Sequence, residues 1–315
     1  MTVKGRARSA SGPARVLEIQ RSRILAAMVE ECAARGAANV SVAHVVSRAG
    51  ISRRTFYEVF TDREDCFLAA FDEGVARASR YVHDGYDPDA RWIERVRAIL
   101  GGLLAFLDAE PDTGRLLVVA SLGAGSTTLE RRRQVLAHAT AIVDDGRNET
   151  DAAKELPLLT AEGIVGGVLS VLHSRLLEPD PYSFMELAGP LTSMVALPYL
   201  GAAAARRELA RAAPPPPRLQ PTPGPDPLRE LGMRLTYRTI RVLTAVAATP
   251  GGSNRQVADE SGIGDPGQIS KLLARLHGLG LIENTGAPTT RGAPNSWVLT
   301  DRGWEVQGAL SRNDA

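Results

Sequence analysis

The stretch Gly50-Ile51-Ser52-Arg53-Arg54-Thr55-Phe56-Tyr57-Glu58-Val59-Phe60 sets polar and apolar groups in a definite order. A Gly-Ile pair is followed by two hydroxyls and two arginines, then by aromatics and a valine at helical spacing. Gly50 suits the left-handed backbone that ends one helix and starts another. The run Val42–Arg48 reads as a short helix before the turn, and Ser52–Val59 as a second helix after it. Together they form a helix-turn-helix candidate, an arrangement in which the second helix enters the major groove and its first residues meet base edges. Arg53, Arg54 and Thr55 would then face DNA, with Ser52 as helix cap and phosphate donor. The Tyr57 hydroxyl would reach a phosphate, while Phe56, Val59, Phe60, Val46 and Ile51 point into the core.

More of the surrounding sequence follows one pattern. Ile24, Leu25, Met28, Val29 and Cys32 recur at three and four residues until Gly36, which predicts a helix ending there. Thr61-Asp62-Arg63-Glu64 has the form of a capping box, with Thr61 accepting from the Glu64 backbone, for a helix over about 63–83. The segment Ile24–Phe71 resembles the N-terminal domain of TetR-type transcriptional repressors. The residues that carry the resemblance are Phe56-Tyr57-Glu58-Val59-Phe60, the small-Gly-Ile turn Ala49-Gly50-Ile51, the hydroxyl Ser41, and the basic residue Arg63, where that family usually has Lys. Cys66 and the pair His44-Val45 depart from the family's usual residues. The resemblance implies a mainly α fold, with a three-helix DNA-binding head and a larger helical domain that dimerises and binds a small ligand. It also implies double-stranded DNA as partner, a homodimer on a pseudo-palindromic operator, and a small-molecule effector. By the same resemblance Ser41, Ser52, Tyr57 and Arg63 are phosphate contacts, and Arg53, Arg54 and Thr55 read bases. His44 joins the candidate DNA-binding set with its role open.

A second small-Gly-Ile turn stands 212 residues later, in Ser261-Gly262-Ile263. Ser253-Asn254-Arg255-Gln256 is a capping box that opens a helix before it. Asp265-Pro266 caps the helix after it, with Pro at the first helical position. Two strand-like runs follow, Leu281–Asn284 and Ser296–Thr300, separated by a loop that contains the ten residues 285–294 and is too long for a tight hairpin. This region, about 236–310, resembles the α+β winged-helix domains of MarR-like regulators. Its candidate DNA contacts are Asn254, Gln268, Ser270, Lys271 and Arg275, with Arg291 in the wing. Winged helices also dock proteins, so a module that recruits a protein partner is the alternative for this region.

The chain of 315 residues is long enough for two or three domains. Pro214–Pro227 has eight prolines in fourteen residues and reads as a semi-rigid spacer of roughly 40 Å. The expected organisation is a basic flexible arm over 1–20, the head over 21–66, the helical dimerisation and ligand domain over 67–213, the linker over 214–227 and the winged helix over 228–315. Further helices are expected near 89–109, 112–121, 126–146, 157–178 and 182–209, the last bent by Pro190 and Pro198.

Net charge is +1, but it is unevenly spread. Residues 1–60 hold ten Lys/Arg against four Asp/Glu, and 228–315 ten against eight, while 75–213 hold fifteen against eighteen. Basic ends and an acidic middle suit polyanion contact at the ends. No secretory signal or membrane-length apolar run is evident, so a cytoplasmic location is expected. Cys32 and Cys66 read as buried thiols rather than a redox pair. His83, His138 and His173 lack metal-ligand spacing, and no nucleophile and base share a motif, so neither a cofactor nor an enzymatic activity is expected. Arg131-Arg132-Arg133 reads as a solvated helix face, and the small residues of Gly163–Gly167 as a site of close helix packing.

Overall fold

The computed structural model describes residues 11–178, 182–215, 237–286 and 295–311. Most of the linker, 216–227, and Arg291 of the expected wing lie outside the described residues. The chain divides into two compact units. One comprises Met1–Arg23, Val46–Val59 and Pro221–Ala315; the other comprises Ile24–Val45 and Phe60–Gln220.

The head is built from α1 (Ser11–Arg35), α2 (Val42–Ala49), α3 (Arg53–Val59) and α4 (Arg63–His83). Of the apolar positions read from the sequence, Ile24, Leu25, Met28, Cys32, Val46, Ile51, Phe56 and Phe60 are buried and Val29 and Val59 half-buried; Val45 is buried as well. Gly36 ends α1 at φ +73, its N–H bonded to Cys32 O. Helix α1 starts at Ser11, so residues 11–20, expected in a flexible arm, are helical, with Gln20 buried. The cap of α4 also differs from expectation. Asp62 accepts from Asp65 N (2.9 Å), and the Asp65 carboxylate takes both the N–H and the hydroxyl of Thr61. Carboxylates thus hold the N-terminus of α4, where a negative charge meets the positive end of the helix dipole, and Thr61 is a donor rather than the cap.

The second compact unit continues through α5 (Trp92–Ala109), α6 (Pro111–Val118), α7 (Ser126–Asp144), the short α8 (Asp151–Lys154), α9 (Leu159–Leu177) and α10 (Ala188–Ala210). Its core gathers Trp92, Leu100, Leu104, Phe106 and Leu107 of α5 with Leu172 and Leu176 of α9 and Leu191, Val195 and Tyr199 of α10. Helix α10 breaks at Gly201, three residues after Pro198, as the lost Pro N–H favours. By length and hydropathy the segment Phe184–Ala210 is long and apolar enough to cross a membrane, contrary to the reading of the sequence. It packs on α5, however, and ends in the buried ion pair Arg97–Glu208 (3.2 Å), with Arg97 also donating to Ala212 O. Those contacts are those of a core helix. In the Gly163–Gly167 run only Gly167 meets α10, at Met194 (3.7 Å); Gly163 and Gly166 face open space.

The first compact unit holds α11 (Tyr237–Ala248), α12 (Asn254–Ser261), α13 (Pro266–Gly278), the strands β1 (Ile282–Asn284) and β2 (Trp297–Leu299), and α14 (Asp301–Ser311). The strands are antiparallel, with Glu283 opposite Val298, and Trp297 makes a further bridge to Gly252. Both caps expected here are present: the reciprocal Ser253–Gln256 box, and Asp265 accepting from Gly267 N and Gln268 N. Val242, Leu243, Val246, Val257, Leu273 and Leu276 form the core, and Ile19 of α1 packs against it. Helix α14 was not expected, because Leu299-Thr300-Asp301-Arg302-Gly303 reads as a strand end.

Two glycine substitutions separate close packing from open space. A Cβ at Gly102 would lie 2.6 Å from Tyr81 O and 2.7 Å from Val82 Cα, where α4 crosses α5. Gly102→Ala is expected to destabilise the chain by about 1–3 kcal/mol. Gly163→Ala, with no atom within 4 Å, is expected to stabilise by about 0.5–1 kcal/mol through helix propensity. Urea denaturation of the two variants measures the contrast.

Candidate nucleic-acid interface

The turn before α3 has specific chemistry. Gly50 adopts φ +66 and its N–H bonds Ser47 O (3.3 Å); Ile51 N–H reaches back five residues to Val46 O (3.1 Å). This is a Schellman-type ending, which satisfies the last carbonyls of α2. The second turn repeats it: Gly262 has φ +62, its N–H bonds Asp259 O (3.2 Å), and Ile263 N–H bonds Ala258 O (3.0 Å). Both isoleucines are buried.

After the first turn, Ser52 caps α3. Its Oγ accepts from Thr55 N (3.0 Å) and lies 2.9 Å from the Thr55 hydroxyl. Thr55, expected to read bases, therefore shares its hydroxyl with the cap. Arg53 and Arg54 are exposed. Arg54 pairs with Glu58 one turn on (2.9 Å), while Arg53 has no ion-pair partner among the described residues. Tyr57 is 57% exposed, its ring edge-on to Phe56, which is fully buried. Helix α3 thus turns its aromatic anchor inward and offers Arg53, Arg54 and Tyr57 to solvent.

The other three head residues lie in the second compact unit. The role of His44 emerges from its contacts. Ser41 N donates to His44 Nδ1 (3.3 Å), and His44 N donates to Ser41 Oγ (3.3 Å). The two residues form a capping box with imidazole in place of the usual carboxylate or amide. Because Nδ1 accepts, the ring carries its proton on Nε2. Arg63 Nη1 donates to Ala37 O (2.6 Å), so this cation ties α4 to the turn after α1. The sequence signals for both roles were weak, since histidine is an uncommon capping partner and Ala37 offers only its backbone.

In the C-terminal region Gln268, Lys271 and Arg275 share an exposed face of α13, opposite the buried Ile269, Leu273 and Leu276. Neither Lys271 nor Arg275 has an ion-pair partner among the described residues. Asn254 and Ser270 are engaged internally. Asn254 Oδ1 accepts from Trp297 Nε1 (2.7 Å) and Asn295 Nδ2 (3.1 Å), and its amide donates to Ser270 Oγ (3.3 Å). This network fastens the strand ribbon to α12 and α13.

Cys32 is buried and burial pushes its thiol up to about 12. Cys66 is buried as well. Among the described residues no three His, Cys, Asp or Glu side chains gather as a metal site would require.

Residues 24–70 match the family profile of bacterial regulatory proteins of the tetR family. Solved structures extend the likeness beyond the head. A fatty acid degradation regulator FadR from Bacillus halodurans is 18% identical, with a TM-score of 0.50 over 56% of this chain and 94% of its own. The transcriptional regulator FadR from Bacillus subtilis, solved in complex with stearoyl-CoA, is 16% identical over 57% of this chain and 98% of its own, TM-score 0.49. The ketosteroid transcriptional regulator KstR2 of Mycobacterium tuberculosis is 18% identical over 56% and 92%, TM-score 0.41. No curated protein sequence matches the chain. The mainly helical TetR-like fold of the head and the helices after it rests on the profile and the first of these structures.

The Ser41–His44 box predicts a measurable coupling. Ser41→Ala is expected to cost about 1 kcal/mol. In the double variant with His44→Ala the losses are expected to be less than additive, because both changes remove the same reciprocal bonds. Thermal denaturation of the two single variants and the double variant gives the cycle.

Proposed function

We propose that this chain is a sequence-specific DNA-binding transcriptional regulator, a cytoplasmic repressor that acts as a homodimer on a pseudo-palindromic operator. The observation that carries the reading is α3 itself: an anchored, Ser-capped helix that leaves Arg53 unpaired and Arg54 and Tyr57 exposed, inside a segment that matches the tetR profile. An exposed guanidinium at the start of a recognition helix suits bidentate contact to guanine. Ser41, Ser52 and Tyr57 would hold phosphates and fix the register. Arg63, bound to Ala37 O, would do so through the helix start that it steadies. The open faces of α9 and α10 that carry the exposed Leu177 and Leu197 are the proposed subunit interface, where apolar area would be buried between subunits.

Arg53→Ala is expected to weaken operator affinity by about ten- to a hundredfold and to relax specificity at one position per half-site, the effect of losing a base contact worth about 1–3 kcal/mol. Tyr57→Phe should lower affinity for all sequences alike. Titration of the full chain against duplexes drawn from a random-sequence selection tests both. Unchanged affinity in both variants would overturn the reading.

The regulatory ligand is proposed to bind in a groove of ≈ 930 Å³ between the end of α6, α7 and α9. Leu122, Leu129, Leu136, Val165 and Leu169 make most of it apolar, and Arg132, Arg133, Glu162 and His173 also line it. Of the three consecutive arginines, Arg131 pairs with Asp72 (2.6 Å) and Arg133 with Glu130 (2.8 Å). Arg132 has no ion-pair partner among the described residues, and burial lowers its pKa. That favours an anion on an apolar body. Helix α7 also meets α4 directly, at Arg131–Asp72 and at Gly125, which lies against the Glu64 carboxylate. A ligand that prefers a shifted α7 would bias α4, and with it the head that α4 continues; equal affinity for both states would shift nothing. Decanoate is expected to raise the melting temperature of the chain, and Arg132→Leu to remove that rise while leaving the ligand-free melt within a few degrees.

A further inference from the structure

We propose that the DNA-binding surface is composite: the C-terminal helix-turn-helix and strand ribbon are carried in one body with α3, so that each subunit holds its half-site with α3 and the adjoining duplex with α13. The proposal rests on the regulator reading above and extends it to a second contact site on the same DNA.

The first observation is packing. Residues 1–23, 46–59 and 221–315 are distant in sequence but form a single compact unit. Ile19, on the first turns of α1, packs against the core that contains Val242, Leu243 and Leu273. The neighbouring Gln20 and Arg23 are buried, as is Thr239 of α11. The start of α1 is therefore part of the C-terminal core.

The second observation is charge. The three segments of this unit hold nineteen Lys/Arg and eleven Asp/Glu, a net of +8. The other unit holds eighteen against twenty-five, a net of −7. Most of that surplus lies in residues 1–23, six against one, and 46–59, three against one, while 221–315 adds ten against nine, so what α13 contributes is the placement of its own cations rather than a net charge. Pairing occurs in both units, as Arg54–Glu58 shows for the cationic one, but it leaves some cations open. In the anionic unit Arg77, Arg97, Arg115, Arg131, Arg133, Arg147 and Arg211 each pair with a carboxylate. In the cationic unit Arg53, Lys271 and Arg275 are exposed and lack such partners among the described residues. Unneutralised like charges on one body repel, and a polyanion relieves that repulsion while releasing its counterions.

The third observation is shape. Helix α13 is preceded by the same Gly-Ile turn as α3 and is held by the same kind of cap. Gln268, Lys271 and Arg275 lie along one exposed side of it. Asn254 and Ser270 belong to the scaffold, which anchors the ribbon beside that helix. The surface so formed has the dimensions of a helix and the charge of a phosphate contact, and it shares a body with a helix already assigned to the major groove. Duplex DNA is the occupant that fits.

The test uses the full chain and a duplex taken from random-sequence selection with that chain. Hydroxyl-radical footprinting is expected to show protection beyond both half-sites. Lys271→Glu with Arg275→Glu is expected to erase the outer protection, keep the inner protection, and reduce the slope of log affinity against log salt by at least about two. Both residues are exposed, so the double variant should keep the wild-type melting temperature. Ile19→Asp, which leaves every DNA-facing charge in place, is expected to lose the outer protection as well. Unchanged footprint and salt slope in the charge-reversed chain would overturn the proposal. So would the full footprint persisting in Ile19→Asp. If the charge-reversed chain keeps its footprint but loses control of a reporter, the surface binds a protein instead and the proposal fails. Arg53→Ala separates this from the parent reading: binding that survives Arg53→Ala and Tyr57→Phe condemns the regulator reading, whereas binding that depends on them but ignores Lys271 and Arg275 condemns only the composite surface.

Discussion

A left-handed glycine followed by a buried isoleucine fixes where each short helix of this chain's two helix-turn-helix elements must stop. Gly50 and Gly262 reach φ of +66 and +62, a region that costs an ordinary residue about 1 kcal/mol or more. The return is the bond from the isoleucine N–H to the carbonyl five residues back, at 3.1 and 3.0 Å. It closes the helix and turns the isoleucine side chain inward. Once that is set, the next helix can begin only a residue or two later, and a side chain that caps it must follow at once: Ser52 in one case, Asp265 in the other. The exposed face of the second helix is then determined by helical geometry, and the polar residues that occupy it are presented on a rigid mount. A helix of seven residues such as α3 would not hold its shape alone; the turn, the cap and the buried Phe56 supply what its length does not.

The division of charge is the second organising feature. The anionic unit pairs many of its arginines locally, including the buried Arg97–Glu208 contact that fastens the end of α10 to α5. Breaking such a pair on one side leaves a buried charge with no partner, which is why it specifies the packing even where its net worth is small. The cationic unit leaves Arg53, Lys271 and Arg275 without ion-pair partners among the described residues and forgoes that local stabilisation.

Much of the fold was legible from local signals. Period-3.6 apolar spacing located the helices, and the Ser253–Gln256 box and the Asp265-Pro266 start were readable because each cap lies next to the helix it serves. The face of α3 followed from Phe56 and Phe60 lying four residues apart. What was not legible depends on distant partners. Nothing in the sequence near Ile19 says that it packs against a core more than two hundred residues on, the one that contains Val242 and Leu243. A basic run with few apolar residues reads as an arm, and the single isoleucine that docks it is easily passed over. The capping roles of His44 and Asp62 were missed for a different reason: several polar side chains in a row could each serve, and only geometry selects among them. Helix α14 was hidden because Trp304 and Val306 fit a strand or a helix equally over so few residues.

The body of the protein brings the two ideas together at α7. Its sequence carries three arginines in succession, and three consecutive helical residues point about 100° apart, so they cannot share one environment. Arg131 turns to Asp72 on α4, Arg133 folds back on Glu130, and Arg132 lines the groove together with Glu162 of α9. One helix therefore holds both a link to α4 and a guanidinium of the groove. Satisfying Arg132 need not move α4 far to matter. The Arg131–Asp72 pair has both side chains partly exposed and is worth little as a source of stability; it does fix a geometry, and so does the glutamate lying against Gly125 at the start of the same helix. A rotation of α7 large enough to bring Arg132 onto a ligand would carry Arg131 and Gly125 with it, because all three ride on one rigid element. The proposed ligand of this groove would therefore bear on α4 through two contacts of one rigid helix, with no longer chain of contacts required.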